Sequence, residues 1–319
     1  MLDALKFAQG AVSTKQHVPE LTHFAIREGR VMGYNGRMCL SAPIALDIEC
    51  CPKAVPFVKA IEACDGVVEM HVTPTGLLSV RSGKFRSTVA TLPAEVFPDV
   101  APEGSPVALT SELLPALRLL YAFTAEDASR PWAAGVLLDG MSAFATNNAT
   151  VVEYWLGDHF PYRVIVPRFT VKELLRIGEE PTGIQLNANN ITFHYDGGRW
   201  LRSQLVDGAW PKEPRELLDC FASASACVPP PAQLFDALQT LAPFVGELNA
   251  VYFINETVAT AREDGTSVEL EGAPRDGVFN HKLLSLLEPV VELIGFDEYP
   301  NPVPFYGDRI RGAIMGMRA

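Results

Sequence analysis

The side chains that most often do chemistry in proteins are scattered along this chain of 319 residues. It has six cysteines, six histidines and acidic pairs such as Glu126-Asp127 and Glu179-Glu180. Catalytic and metal sites need such groups at set spacings, as in glycine-rich phosphate loops, the zinc-binding H-E-x-x-H helix and the G-x-S-x-G nucleophile turn. None of these motifs occurs, no two histidines have metal-ligand spacing, and the acidic pairs are typical of solvated loops. The sequence therefore predicts no catalytic residue, no metal site and no cofactor.

The cysteines also lack a spacing that would predict chemistry. They lie at Cys39, Cys50, Cys51, Cys64, Cys220 and Cys227. No C-x-x-C pair occurs, and two cysteines are adjacent, which suits neither a zinc site nor a disulfide framework. We expect buried free thiols.

The composition indicates a folded protein with more than one core. Hydrophobic residues make up 48% of the chain and charged residues 20%, which excludes wholesale disorder, and single cores stop growing near about 250 to 300 residues. No apolar run approaches the roughly 18 to 20 residues that span a bilayer. The N-terminus lacks a basic leader before an apolar core, so we expect a cytoplasmic protein. The formal charge of −12 disfavours generic binding of polyanions, so a nucleic-acid role would require locally sorted charge.

A repeat divides the sequence into three similar units. Helical segments that follow strand regions begin at Pro52, Pro167 and Asn280, which are 115 and 113 residues apart. The first two are followed by strands with period-two alternation between Pro/Gly turns, a pattern typical of half-buried hairpins. These two units close with Phe97-Pro98 and Trp210-Pro211, again 113 residues apart. Helix, hairpin and closing pair therefore recur together.

Each repeat reads as helix, strands, helix, strands. The first helices are predicted over 2–12, 111–123 and 232–242, and the second helices over 52–64, 167–177 and 280–294. Between the helices of the second repeat we predict two strands, Gly135–Leu138 and Ser142–Ala145. Hairpin connections predict an α+β fold of three tandem domains, each with an antiparallel sheet on one side and two helices on the other. Linkers rich in proline and small residues place the domains at 1–105, 106–221 and 222–319.

Four stretches, LSVRSGKFRSTVATLPAEVFPD, IVPRFTVKELLR, SQLVDGAWP and AIMGMRA, resemble, in that order, parts of bacterial beta-type DNA polymerase sliding clamps, the family of the DNA polymerase III beta subunit. LSVRSGKFRSTVATLPAEVFPD (78–99) resembles the end of the first clamp domain, and IVPRFTVKELLR (165–176) the inner helix of the second. SQLVDGAWP (203–211) is similar to the family's Leu-Ile/Val-Asp-Gly-aromatic-Pro strand, and AIMGMRA (313–319) to its Val-Met-Pro-Met-Arg ending. The third domain matches loosely, through VFNHKLL (278–284). Because the chain is shorter than the usual bacterial clamp, a phage-encoded or otherwise divergent member fits.

The resemblance implies a non-enzymatic processivity factor. Two three-domain subunits would associate head to tail into a ring whose helices face duplex DNA, bound without sequence preference. The implied partners are a replicative DNA polymerase and an ATP-dependent clamp loader, and no membrane is involved. Elementary physics agrees, because repeats in an open arc leave an unpaired strand edge at each end that a second copy can cover. A trimer is the geometric alternative, and a protein-binding scaffold that does not encircle DNA is the alternative function.

The implied inner helices are slightly more basic than the rest of the chain. Segments 1–16, 52–64, 110–124, 167–178, 229–245 and 280–294 together carry +2, which leaves −14 for the remainder. Few basic contacts mean loose, salt-sensitive DNA binding without base readout, which suits a sliding protein. The predicted DNA-contacting residues of the pore are Lys15, Lys53, Lys59, Arg168, Lys172 and Arg176. The alternative for each is a solvated helix face.

The resemblance further implies a hydrophobic cleft between the second and third domains, which captures short linear motifs of polymerases and loaders. Its residues here would be Arg130, Thr146, Val151, Pro211, Arg215, Met315, Met317 and Arg318. Paired methionines suit such a site because a thioether repacks around different peptides, although both could instead plug the core. The chain departs from the family at 147–151, at Gly316, where the family has Pro, and at Glu216, where an apolar residue is usual. We therefore expect an altered peptide preference.

A dimer contact follows from the resemblance at the end of the third domain's first helix. Leu241 and Phe244 stand where the family packs one subunit against the next. Core packing is the alternative for both residues.

Overall fold

The computed structural model describes the 319 residues with the exception of 15–17, 111, 127–128, 212, 221–226, 275 and 319. Over that part of the chain the helices are Leu2–Gln9 (α1), Ala54–Glu62 (α2), Leu114–Leu120 (α3), Arg168–Ile177 (α4), Glu213–Cys220 (α5), Leu234–Leu241 (α6) and His281–Ser285 (α7). The strands of the first repeat are Phe24–Arg27 (β1), Arg30–Tyr34 (β2), Met38–Pro43 (β3), Cys51–Pro52 (β4), Glu69–Val72 (β5), Leu77–Ser82 (β6) and Phe85–Leu92 (β7). Those of the second are Val107–Ala108 (β8), Gly135–Thr146 (β9), Thr150–Pro167 (β10), Gly183–Leu186 (β11), Asn190–Tyr195 (β12) and Arg199–Gln204 (β13). Those of the third are Ala250–Ile254 (β14), Thr257–Ala259 (β15), Ser267–Glu269 (β16), Asp276–Asn280 (β17), Leu293–Ile294 (β18), Val303–Gly307 (β19) and Ile310–Ile314 (β20).

The chain divides into two compact units. Unit 1 comprises residues 1–110 and 173–205, and unit 2 comprises residues 111–172 and 206–319. The second repeat is thus shared between the units. The predicted domain boundaries after residues 105 and 221 stay predictions.

Unit 1 contains two antiparallel sheets. The larger has the strand order β1-β2-β3-β13-β12-β11-β8, so it joins strands of the first repeat to strands of the second through the β3–β13 pair. The smaller has the order β4-β7-β6-β5. Its strand β6 alternates as the sequence predicts, with Leu78, Val80 and Ser82 buried on one face. A cluster around Phe97 and Trp200 forms an apolar core of this unit.

Unit 2 also contains two antiparallel sheets. The five-stranded sheet has the order β18-β19-β20-β10-β9 and joins the long hairpin of the second repeat to the third repeat through the β10–β20 pair. The four-stranded sheet has the order β16-β15-β14-β17. Phe144 and Trp210 belong to a core cluster that packs on the five-stranded sheet. This cluster supports the candidate site described below.

The observed element order confirms the predicted α+β fold, with helix, strands, helix and strands in each repeat. Helix α4 matches the helix predicted over 167–177 closely, and the hairpin strands β6 and β7 follow α2, where the sequence predicts alternating strands. Period-two alternation between glycine turns determines the register of strands β6 and β7, because a shift by one residue would expose their apolar side chains. Helix α5, which lies between the second and third repeats, was not predicted.

Two predictions about individual elements are wrong. Gly135–Leu138 and Ser142–Ala145 are parts of one strand, β9, because Gly140 takes a positive φ of 63° inside the strand rather than in a turn. The partner strand β10 absorbs the irregularity with register shifts on either side of Phe160. The helix predicted over 280–294 ends at Ser285, where the ring of Pro289 would clash with the carbonyl four residues earlier.

The cysteines are all free thiols, as predicted, but their burial differs. Cys39, Cys50, Cys51 and Cys227 are buried, whereas Cys64 is half-buried and Cys220 is exposed. Within the described residues, none of the helices is long and apolar enough to cross a membrane.

Candidate functional site

A cavity of about 410 Å³ opens on the surface of unit 2. Its lining is mainly apolar and comes from the segment before β9, the β9–β10 hairpin, the region around α5, the segment before β19, and β20 with the residue after it. The lining residues are Arg130, Trp132, Thr146, Asn148, Ala149, Thr150, Val151, Pro211, Leu217, Pro302, Ala313 and Met315. Apolar concave sites with a few polar groups are the usual form of ligand and peptide pockets.

The hairpin turn between β9 and β10 forms one wall of the cavity. Asn147 Oδ1 accepts hydrogen bonds from the backbone N–H of Ala149 at 3.1 Å and of Thr150 at 2.8 Å. Thr146 Oγ1 accepts from the Asn148 N–H at 3.1 Å and donates to the Thr150 carbonyl at 2.7 Å. Asn148 has a positive φ of 74°, which asparagine tolerates better than most residues. Local side-chain bonds therefore fix this turn before any ligand binds.

Strand pairing aligns the next part of the lining. Val151 lies opposite Thr146 on β9 and opposite Ala313 on β20. These three residues are buried and lie side by side across the sheet. Together they join the second repeat to the third, so the cavity draws on both.

Aromatic rings support the cavity from below. Trp132 and Trp210 pack edge to face with ring centroids 5.5 Å apart, and Phe144 lies 6.4 Å from Trp210. Such pairs add stability beyond the apolar area that they bury. Pro211, next to Trp210, reaches the cavity surface. The floor is therefore a rigid apolar layer.

The rim carries one positive charge and one exposed thioether. An Nη1 donor of Arg130 bonds Asn148 Oδ1 at 3.1 Å, and no ion pair involves Arg130 among the described residues. Met315 is 44% exposed, while its backbone N–H donates to the Ala149 carbonyl at 2.7 Å. The arrangement can hold apolar side chains of an extended peptide and leaves a guanidinium free to meet an acidic group.

The structure brings together five of the eight residues predicted for the cleft. Arg130, Thr146, Val151, Pro211 and Met315 all line the cavity. The other three, Arg215, Met317 and Arg318, do not line it.

Arg215 lies beside the cavity rather than in it. It lines a smaller cavity of about 230 Å³ that shares Pro211 with the larger one. Its guanidinium lies over the Phe144 ring, 4.4 Å from the centroid, and pairs with Asp139 at 3.1 Å. Glu216 lines the same smaller cavity. Glu216 therefore places a charge beside the cavity at a position where the resembled family usually has an apolar residue.

The last two cleft residues belong to the C-terminal tail, residues 315–318. Met317 is half-buried, and its N–H donates to the Val278 carbonyl at 2.7 Å. Arg318 is exposed. Neither lines the cavity, so Met315 is the tail's contribution to it.

Some lining residues were not predicted. Trp132 follows Arg130 by two positions, so its place in an Arg-Pro-Trp run could have indicated it. Leu217 lies on α5, whose apolar stripe could have been read as a buried face. Pro302 comes from the third repeat, and tertiary packing alone brings it to the cavity.

Of the predicted DNA-contacting residues, Arg168 is engaged inside unit 2. Its Nη1 donates to the Tyr121 carbonyl at 3.1 Å and to Thr124 Oγ1 at 2.7 Å, and Nη2 pairs with Glu126 at 3.0 Å. The guanidinium also lies over the Tyr121 ring at 4.2 Å. Most of its donors and its charge are therefore used within the chain.

Arg176 is engaged in the same way in unit 1. Its Nε donates to Oε1 of Glu173 at 2.8 Å, and Nη2 donates to the Phe7 carbonyl at 3.2 Å. Glu173 is buried. The guanidinium compensates an internal carboxylate.

The three lysines differ from these arginines. Lys59 on α2 and Lys172 on α4 are exposed, and Lys53 before α2 is half-buried. None of them forms an ion pair within the part of the chain that the structure describes. Lys15 lies outside the described residues. Among the described residues predicted to contact DNA, Lys53, Lys59 and Lys172 therefore carry the positive charge that is free of ion pairs.

The two residues predicted for a subunit contact have opposite environments. Leu241 at the end of α6 is fully buried in its own unit, whereas Phe244 is 57% exposed. Leu241 thus packs in the core, which was the alternative, because no part of its side chain reaches the surface. Only Phe244 is available to a second subunit.

No cluster of histidine, cysteine and acidic side chains suited to a metal ion occurs among the described residues. The sulfhydryl groups of the first repeat are also unsuited to chemistry. Burial raises the pKa of Cys39 to about 12 and that of Cys50 to about 11. Both thiols stay protonated at neutral pH and are poor nucleophiles.

Comparison with known proteins finds relatives in sequence over part of the chain and a similar fold over its full length. No protein-family model matches the chain. The beta sliding clamp of Escherichia coli is 32% identical over 180 residues, 51% of this chain and 49% of that relative, so the chain spans about half the length of this curated relative. That of Pseudomonas aeruginosa is 29% identical over 245 residues, 68% of this chain and 65% of that relative. The solved structure of the Caulobacter crescentus beta sliding clamp matches with a TM-score of 0.82 at 16% identity, and covers 100% of this chain and 97% of that chain.

Proposed function

We propose that this chain is a member of the beta sliding clamp family, and that it is a DNA sliding clamp that encloses duplex DNA and tethers a polymerase. In this role it is a non-catalytic processivity factor that acts in the cytoplasm. It depends on an ATP-dependent loader, since the chain has no nucleotide-binding motif of its own.

The strand order of the four sheets carries the proposal. Two of the sheets, with seven and five strands, contain strands from two neighbouring repeats. The other two sheets have four strands each, and all four come from a single repeat. The four-stranded sheets end at β5 in unit 1 and at β16 in unit 2. Most residues of these edge strands are exposed. Exposed edges pair readily with another strand.

Head-to-tail association would cover both edges at once. Strand β5 of one subunit beside β16 of another would give a continuous eight-stranded sheet. Both units also have exposed apolar side chains, with Val67, two residues before β5, at 83% in unit 1, and Phe244 at 57% and Leu248 at 76% in unit 2. Such a heterologous contact closes into a ring when the rotation between subunits permits. We propose a ring of two subunits.

The free lysines suit contact with a DNA backbone that must slide. Lys53, Lys59 and Lys172 carry charges that no acid of the described chain neutralises. Because each phosphate contact releases counterions, a few lysines give weak binding that falls with salt. Topological enclosure, rather than affinity, would then keep the protein on DNA.

The cavity of unit 2 would bind a short apolar segment of the polymerase and of the loader. Its Trp132 floor and Met315 rim offer apolar contact, and Arg130 offers a positive charge for an acidic residue of the segment. The altered turn at 147–150 and Glu216 beside the cavity favour a peptide preference of its own.

Topological linkage provides the decisive experiment. Light scattering at micromolar concentration should give twice the 34.7 kDa of one chain. After loading by the loader of the source organism, the protein should stay on a nicked circular plasmid in high salt and leave once the plasmid is cut. A persistent monomer, or equal retention on linear and circular DNA, would contradict the proposal.

The cleft can be tested separately. Fluorescence anisotropy with labelled 12-residue peptides that tile the source organism's polymerase should identify a binder. Met315→Ala should weaken that binder by about 5- to 30-fold, as for an interface side chain whose truncation costs about 1 to 2 kcal/mol. Met141→Ala is the matched control, since Met141 is a similarly exposed methionine at 40% outside the cavity. Peptide binding without a ring would instead support the alternative of a scaffold that does not encircle DNA.

A further inference from the structure

Backbone and side-chain hydrogen bonds hold the C-terminal tail, residues 315–318, at three points. Met315 donates its N–H to the Ala149 carbonyl at 2.7 Å, and Met317 donates its N–H to the Val278 carbonyl at 2.7 Å. The third bond comes from a side chain, because Tyr299 Oη donates to the Met317 carbonyl at 3.0 Å. The tail is therefore fixed to the hairpin turn of β9–β10, to β17 and to the segment before β19.

The Tyr299 ring leaves room for no side chain at residue 316. A Cβ placed on Gly316 would lie 2.6 Å from both Cδ2 and Cε2 of this ring. Carbon atoms pack at about 3.5 to 4.0 Å, so the ring covers the Gly316 backbone directly. Gly316 is also the position at which the sequence departs from the resembled family's proline.

The ring itself is held in place by other aromatic residues. Tyr299 lies 5.7 Å from Phe279 between ring centroids. Phe279 in turn packs against Phe253 at 5.8 Å and Phe296 at 5.6 Å. These phenylalanines are buried. Because the cluster is anchored in the third repeat, the Tyr299 ring cannot easily move to accommodate a larger residue at 316.

The segment that carries Tyr299 also contributes to the cavity. Pro302, three residues later, lines it, and Met315, directly before Gly316, forms its rim. Tyr299 contacts the residues on the far side of that rim, Gly316 and Met317. Its ring and hydroxyl therefore set the path of the backbone that presents Met315.

We propose that Tyr299 is a positioning residue for the peptide cleft, because its contacts with Gly316 and Met317 fix the tail so that Met315 is presented to the bound peptide. This rests on the proposed function of the cavity as a peptide site. Tyr299 touches the tail and does not line the cavity itself. Its effect on binding is thus carried through the tail.

Four variants of the full chain separate the parts of this role. Tyr299→Phe keeps the ring and removes the bond to the Met317 carbonyl. Gly316→Ala introduces the Cβ that the ring would meet. Tyr299→Ala removes the ring, and Tyr299→Ala with Gly316→Ala places the Cβ where no ring opposes it. Tyr252→Phe, on β14 of the same repeat, is the matched control for loss of a tyrosine hydroxyl.

Two readouts are needed. The first is amide hydrogen exchange of residues 315–318, which requires no peptide, and the second is anisotropy with the polymerase peptide that the wild-type chain binds. Tyr299→Phe should speed exchange at Met317 and weaken peptide binding about three- to tenfold, the effect of removing one hydrogen bond, whereas Tyr252→Phe should change neither. Gly316→Ala should weaken binding more than tenfold in the wild-type background and have little further effect in the Tyr299→Ala background.

The outcomes distinguish this proposal from the proposed function. A loss on Gly316→Ala that is equally large in both backgrounds, or tail exchange unchanged in Tyr299→Phe, would overturn the role of Tyr299 even if peptides bind. A wild-type chain that binds no peptide would contradict the function of the cavity. Hydrogen exchange would then still decide whether Tyr299 fixes the tail. Tyr299→Phe guards against misfolding, because it leaves the aromatic cluster complete.

Discussion

Arg176 donates from Nε to Oε1 of Glu173, 2.8 Å away and one helical turn earlier on α4, and Glu173 is buried. A buried carboxylate is costly unless it is paired and hydrogen-bonded. The same guanidinium reaches the Phe7 carbonyl of α1 at 3.2 Å. The pair therefore joins α4 to α1 within unit 1, and a residue expected to face DNA contributes instead to stability.

The close packing of Glu173 leaves no space at Gly10. A Cβ on Gly10 would overlap Oε1 of Glu173, so Gly10→Ala must displace the paired carboxylate. We expect a loss of about 1 to 3 kcal/mol in the free energy of unfolding, as for other overpacked sites. Gly246→Ala is the control, since Gly246 has open space around it, and its effect should stay within about 0.5 kcal/mol. Urea unfolding measures both, and equal stability of the two variants would contradict the close packing.

DNA binding should depend on the free lysines rather than on the paired arginines. Lys59→Gln with Lys172→Gln should lower the magnitude of the slope of log K against log salt by about 0.9 for each phosphate that a lysine no longer neutralises. Lys84→Gln is the control, because Lys84 is exposed in the turn between β6 and β7. Duplex binding measured from 50 to 200 mM salt tests this. A slope that is unchanged in the double variant but altered in the control would refute the assignment.

Self-association should depend on Phe244 and not on Leu241. Phe244 is 57% exposed, so Phe244→Ala should raise the dissociation constant of the oligomer about tenfold or more. Leu241 is buried, so Leu241→Ala should instead lower the free energy of unfolding by about 2 to 5 kcal/mol. Sedimentation velocity over a concentration series and urea unfolding separate the two effects. Unchanged association of Phe244→Ala would remove this residue from the interface.

Acid should destabilise unit 1 through two histidines. Burial lowers the pKa of His23 and of His194 below their ordinary value of 6.5, against a smaller opposing effect of the Pro19 carbonyl on His23. The unfolded chain then binds these protons at higher pH than the folded chain. This contribution to stability is complete above about pH 6.5 and is lost as the pH falls through the folded pKa values.

Substitution of His194 tests how much of the change in stability with pH comes from this histidine. His194 bonds Gln185 Oε1 at 2.6 Å, and His194→Gln removes its titration. Between pH 7.5 and 5.5 the urea midpoint should fall less in His194→Gln than in the wild type. His71→Gln, at an exposed histidine on β5, should behave as the wild type does. Parallel pH profiles for His194→Gln and the wild type would exclude the contribution.

Much of the fold could be predicted because local patterns determine it. Strands β6 and β7 alternate between buried and exposed residues around a glycine turn, and this pattern allows one register. The prediction was wrong where packing against another part of the chain overrides the local sequence pattern. Gly140 reads as a turn, yet β9 continues through it because β10 bends alongside, and the helix predicted from Asn280 was extended past Pro289.

The candidate site shows the same limit. Arg130, Thr146 and Val151 could be placed by resemblance because they lie within one short hairpin region. Pro302 and Tyr299 could not, since they reach the cavity and the tail through packing of the third repeat. Counting charges along the sequence likewise could not show that, within the described part of the chain, Arg168 is paired with an acidic residue whereas Lys172 is not. The partner of Arg168, Glu126, lies 42 residues away, and sequence spacing does not reveal such pairs.

The sheet that pairs β3 with β13 has a consequence for synthesis of the chain. Residues 38–43 must wait for residues 199–204 before their hydrogen-bonding edge is covered. At translation rates of about 5 to 20 residues per second, the nascent chain holds that apolar strand open for roughly 10 to 30 s. The first repeat therefore leaves the ribosome as an unfinished sheet, exposed to chaperones and proteases until the second repeat emerges. Limited proteolysis of ribosome-stalled chains should detect this interval.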